Sequence, residues 1–172
     1  MLKFIFGLII GIALVLAAAY LFVQRGGLPM STSGGPLPFE RYLVHTAMTA
    51  SIGHAADDQS PVPADETNLL EGARVYRENG CMGCHGAFGQ GPTAMSKRMY
   101  PHIPSLLPPS RGVTFDPVGE THWVLVNGIR FSGMPSFGGK LTETELWQVT
   151  QLLHNADKLP QPVQDALQPQ QR

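Results

Sequence analysis

The chain has two cysteines, Cys81 and Cys84, and both fall in one pentapeptide, Cys-Met-Gly-Cys-His, which ends on His85. Two thiols this close together cannot frame a disulfide-stapled domain, which needs several pairs spread along the sequence. A structural zinc site needs four ligands, usually two such cysteine pairs, and a thioredoxin-like dithiol belongs in a βαβ setting that the flanking sequence does not offer. Covalent haem attachment fits instead: thiols two residues apart can add to the two vinyl groups of one porphyrin, and the adjoining histidine then sits beneath the iron as its proximal ligand. This chemistry uses both cysteines, and it explains why a chain passing through an oxidising compartment has no others. A fold for this chain must therefore be built around one covalent haem c.

The same chemistry bears on topology. Phe4 to Val23 is a run of twenty uncharged, mostly aliphatic residues, about 30 Å long as a helix and enough to cross a bilayer. A cleaved signal peptide is the rival, because Ala17 and Ala19 resemble the small residues of a cleavage site behind Lys3. Apolar sequence nevertheless continues through Tyr20, Leu21, Phe22 and Val23, where a mature polar start is expected. Lys3 and Arg25 flank both ends, so charge barely decides the orientation. Haem of this kind is attached outside the cytoplasm. Residues 24–172 are accordingly expected on the periplasmic side of the cytoplasmic membrane, with Met1 to Lys3 inside.

With 12 basic and 13 acidic residues the chain has no global field to steer nucleic acid, which is excluded as a partner. The 15 prolines and 19 glycines point to long irregular stretches around a small core. Four segments follow. Residues 1–23 form the anchor. Residues 24–66 read as a Gly- and Pro-rich linker with a short helix near 39–54, whose apolar positions Leu43, Val44, Ala47, Met48 and Ile52 are expected to pack on their own domain. Residues 67–160 form the folded domain. It holds a helix over 67–79 stopped by Asn79 and Gly80, loops over 86–120 with a short helical piece near 94–99, a helix over 121–127, and a last helix opened by the capping box of Thr142 and Glu145. Pro160 and Pro162 end that helix, and residues 161–172 read as a loosely ordered tail.

Residues 67–160 resemble the class I c-type cytochromes, a small all-α family with His and Met ligation. Gly72 and Tyr76 match the family's Gly-x-x-x-aromatic pattern in the first helix, where glycine lets the last helix cross closely, with Val149 and Leu152 as the facing positions. Leu152 stands where the family often has an aromatic, and Trp147 is a candidate to supply that bulk. Pro104-Ser105-Leu106 is similar to the family's Pro-x-Leu segment, which implies that the Pro104 carbonyl accepts a hydrogen bond from His85. Asn127-Gly128-Ile129-Arg130 followed by Gly133-Met134-Pro135 looks like the approach to the distal ligand, which implies Met134 as that ligand and Arg130 as a partner for a haem propionate. The flanking Gly133 and Pro135 suit such a role for Met134, since they place it in a turn rather than on a packed helix face. The expected fold is all-α: a few helices and long loops around the haem, preceded by one transmembrane helix.

His45, His54, His102, His122 and His154 read as structural or surface histidines, and Met95 and Met99 as packing residues. No acid-base pair, no nucleophile with its base and no second metal cluster is evident, so the expectation is an electron carrier rather than an enzyme. The resemblance implies a quinol-oxidising complex or dehydrogenase as donor and a terminal oxidase or reductase as acceptor. A mild charge balance in 67–160 predicts a docking face with weak salt dependence. The alternative is a fixed haem subunit of a larger membrane oxidoreductase. A third reading, a gas-sensing or peroxidatic haem, requires an open iron site.

Overall fold

A computed structural model describes residues 1–28, 30, 31 and 34–169; it is helical, with no strand among them. The backbone divides into two units, one ending at Pro38 and the other beginning at Phe39.

The first unit is dominated by α1, Leu2–Gln24, whose residues are all exposed. Nothing polar interrupts it beyond Lys3 and its terminal glutamine, so it has no face to bury in a globular core. It stops at Gly26, whose φ of +73° turns the chain so that the Gly27 N–H reaches the Phe22 carbonyl at 2.8 Å.

The second unit opens with α2, Glu40–Ile52, followed by a 3₁₀ turn over Gly53–Asp57. Of α2, only Ile52 is buried, while Leu43 and Val44 are exposed. The expected packing of this helix on its own domain therefore holds for its C-terminal end and fails for Leu43 and Val44, which point to solvent. The segment nonetheless groups with the folded unit rather than with the anchor. Gly119 explains part of this: a Cβ there would collide with the Ala55 carbonyl, so only glycine lets the 3₁₀ turn lie so close.

α3, Glu66–Glu78, starts at Asp65, whose carboxylate accepts from the Asn68 N–H at 2.9 Å. It buries Leu69, Gly72, Ala73, Val75 and Tyr76. α4, Cys81–His85, α5, Ala94–Arg98, and α6, Val118–Asn127, are short and separated by loops. α7, Glu143–His154, begins with the full capping box of Thr142 and Glu145 and packs against both α3 and α6. Trp147 turns towards α6, where its ring stacks on His122 at 3.7 Å between centroids. It does not supply the aromatic bulk at the α3–α7 crossing, which is filled by the fully buried Leu152.

The described part of the C-terminal tail is not loose. Gln161–Ala166 forms α8, with Pro162 in its first turn where a missing N–H costs nothing. Val163 and Leu167 are completely buried, and the Leu167 carbonyl accepts from Phe88 at 3.1 Å. Packing therefore continues past residue 160; residues 170–172 lie outside the described part.

Candidate functional site

α4 is a single helical turn that carries Cys81, Cys84 and His85, and glycines in the left-handed region bracket it: Gly80 at φ +80° and Gly86 at φ +90°. These two positions let the chain leave α3, make one turn and leave again within seven residues, which a Cβ would oppose. Cys81 and Cys84 form no disulfide with each other, and both are half-buried. Cys81 rests against the main hydrophobic cluster, and burial pushes its thiol up to about 11.

Two side chains hold this turn, and a third extends the network towards Pro104. The buried Tyr76 hydroxyl donates to the Gly86 carbonyl at 3.1 Å. Thr93 donates its hydroxyl to the Cys84 carbonyl at 3.0 Å and at the same time accepts from the Ser96 N–H at 3.0 Å, so one side chain ties α4 to the start of α5. The Ser96 hydroxyl in turn donates to the Ile103 carbonyl, one residue before Pro104. None of these three was singled out for this work from sequence. Thr93 alone left a signal there, as a cap residue ahead of a short helix.

His85 lies with its Nδ1 2.8 Å from the Pro104 carbonyl oxygen. A carbonyl only accepts, so Nδ1 carries the proton and Nε2 keeps its lone pair. Burial lowers the pKa of this ring and favours the neutral imidazole, while the Pro104 hydrogen bond, which opposes that shift, fixes the tautomer. The backbone closes the strap, because the Leu106 N–H donates to the His85 carbonyl at 3.3 Å.

Met134 sits in the loop that follows α6, half-buried against the same hydrophobic cluster that Cys81 touches. The loop is fixed by its own hydrogen bonds: Ile129 N–H to the Met134 carbonyl at 3.1 Å, and Met134 N–H to the Ser132 hydroxyl at 3.1 Å. Its far end folds back on α6 through Phe137 N–H to Leu125 O at 2.9 Å. The terminal methyl of Met99 lies where a Cβ on Gly133 would stand. Met99 thus packs as expected, whereas Met95 is exposed. Arg130 is exposed in the same loop, next to Phe131, which holds a φ of +60° and is 90 % accessible.

His45 and His54 are exposed, and among the described residues no three of His, Cys, Asp and Glu gather as a metal cluster. The donor set suits haem instead: two thiols on one turn, a neutral imidazole with a free Nε2 lone pair, and apolar walls.

Residues 67–153 match the family described as cytochrome c oxidase, cbb3-type, subunit III. The chain belongs to that family. The match covers just over half of its length, and no curated protein and no solved structure matches the chain. This c-type cytochrome carries covalently bound haem c, and the two thiols and the histidine of α4 have the spacing for its attachment. When bound, the haem supplies one-electron exchange at its iron. What the chain adds is the fixed α4 turn and the proton held at His85 Nδ1.

Proposed function

We propose that this cytochrome is a membrane-tethered relay that passes single electrons between redox proteins on the periplasmic side, with His85 and Met134 as the two axial ligands. The observation that carries the reading is the 2.8 Å contact of His85 Nδ1 with the Pro104 carbonyl, which leaves Nε2 as the ligating atom beside both cysteines. Met134 suits the opposite position because its loop is pinned by hydrogen bonds on both sides of the thioether, which is itself only half-buried. A thioether favours the reduced iron and raises the potential above that of two histidines, as a carrier feeding an oxidase requires. Arg130, exposed in the same loop, would offer its guanidinium to a propionate. Were His85 and Met134 both to hold the iron, no position would remain there for a substrate, which is why the reading is a carrier rather than an enzyme.

The test is the weak red-edge charge-transfer band of methionine-ligated ferric haem. It is expected in the native protein and lost in Met134→Ala; an unchanged spectrum after that substitution overturns the assignment. Its family's description as an oxidase subunit favours a second reading, a fixed haem subunit of a larger membrane oxidoreductase. Mild detergent extraction separates the two: a relay leaves the membrane free of any oxidase or dehydrogenase, and a subunit leaves with its complex.

A further inference from the structure

α2 has an outer face without charge. By helical geometry Arg41 and His45 share the side of the helix that carries Met48 and the buried Ile52, and Glu40 stands at the border of the other side. Glu40 is held there, since the Tyr100 hydroxyl donates to its carboxylate at 2.9 Å. The other side presents Leu43, Thr46, Ala47 and Ala50, with Tyr42 at its edge, all exposed. A helix face in contact with water alone normally carries lysine and glutamate. This one instead carries aromatic and aliphatic groups in its first turn and small uncharged residues after it. Phe39, just ahead of the helix, adds to it: it takes a φ of +62°, a backbone region costly for a bulky residue, and leaves its ring 78 % exposed. Tyr42 and Leu43 are 69 % and 62 % exposed. Three large apolar groups thus stand together on a helix that the domain holds chiefly at its two ends.

The chain's own length says what can cover this face. Fourteen residues, 25–38, separate the apolar helix α1 from Phe39. A Gly- and Ser-rich segment of that length spans about 20 Å as a coil and about 50 Å at full stretch. If α1 is in a bilayer, the surface of that bilayer is within reach of Phe39 at all times, at a local concentration no diffusing protein matches. We propose that the outer face of α2 docks on the lipid surface, with Phe39, Tyr42 and Leu43 entering the headgroup region and the aromatic rings in the interfacial layer they favour. The inference rests on the reading of α1 as a membrane anchor and adds a second membrane contact, one that limits how the haem domain can turn on its tether.

The experiment uses the full-length holoprotein in phosphatidylcholine nanodiscs doped with a phosphatidylcholine that carries a photoactivatable diazirine near the glycerol end of one acyl chain. After illumination, adducts are mapped by peptide mass spectrometry. The expected result is labelling of residues 39–50 in addition to 2–24. Phe39→Ser/Tyr42→Ser/Leu43→Ser should reduce the adducts on 39–50 by about tenfold and leave those on 2–24 unchanged. An unaltered haem absorption spectrum shows that the variant is folded, and Leu43→Ser alone serves should the triple variant lose haem. Labelling of 2–24 without 39–50 overturns the proposal and assigns the face to a protein or to water. Absence of labelling from both overturns the anchor reading, and the proposal with it.

Discussion

Gly72 of α3 and Leu152 of α7 meet where the two helices cross: a Cβ on Gly72 would stand 3.1 Å from the Leu152 Cβ and 2.9 Å from the carbonyl carbon of Gln148. The obstacle is backbone as well as side chain, so no change of rotamer relieves it. Gly72→Ala gains some helix propensity, but the helices must part, and the expected net cost is about 1–3 kcal/mol. Urea unfolding of the holoprotein, followed by far-ultraviolet circular dichroism, measures it. A variant as stable as the native protein would mean that the crossing is looser than described.

Leu167 lies just beyond α8 and is completely buried. Leu167→Ala should cost about 2–5 kcal/mol, the usual range for emptying a closed aliphatic site. A loose tail would lose almost nothing. The same unfolding experiment decides, and Gln168→Ala, an exposed neighbour, is the control expected to be silent.

The start of α7 should show a pH signature. The Glu145 carboxylate accepts from the Thr142 N–H at 3.0 Å and from its hydroxyl at 2.8 Å, and it lies 3.4 Å from an Arg74 nitrogen. These contacts, the Thr142 backbone first, hold its pKa below the ordinary glutamate range. A group lowered in the folded state stabilises above its unfolded value of about 4.3, and that contribution is lost as pH falls through the folded value. Glu145→Ala should therefore be less stable than the native protein by about 1 kcal/mol at neutral pH, and the difference should close as pH drops below 4.3. A deficit that is constant across this range would rule out the carboxylate as its source.

What the sequence revealed and what it hid follow from the range of the interactions. The capping box of Thr142 and Glu145 spans four residues, and the Cys81–His85 turn spans five, so both could be read locally. The Pro104 contact was available only through family resemblance, because it joins His85 to a residue 19 positions away. α8 was missed because Pro160 and Pro162 read as terminators, whereas here Pro162 sits in a first turn. Its two core residues, Val163 and Leu167, are also too few to display a period. The helical stripe of α2 was visible, but its direction was not: Leu43 and Met48 look alike in sequence, and only the packing of Ile52 and the Glu40–Tyr100 bond decides which side turns outward. Thr93 and Ser96 escaped notice because their partners, the carbonyls of Cys84 and Ile103, are backbone atoms that no residue pattern encodes.

The hydrogen bond from Phe88 to the Leu167 carbonyl links the loop behind the Cys81–His85 turn to the segment that follows α8. Ribosomes make Cys81 and Cys84 more than eighty residues before Leu167, so this closing tie cannot exist in the nascent protein. During that interval the two thiols belong to an unfinished structure, open to whatever attaches the cofactor. The support behind the haem-attachment turn is thus complete only once residue 167 has been made.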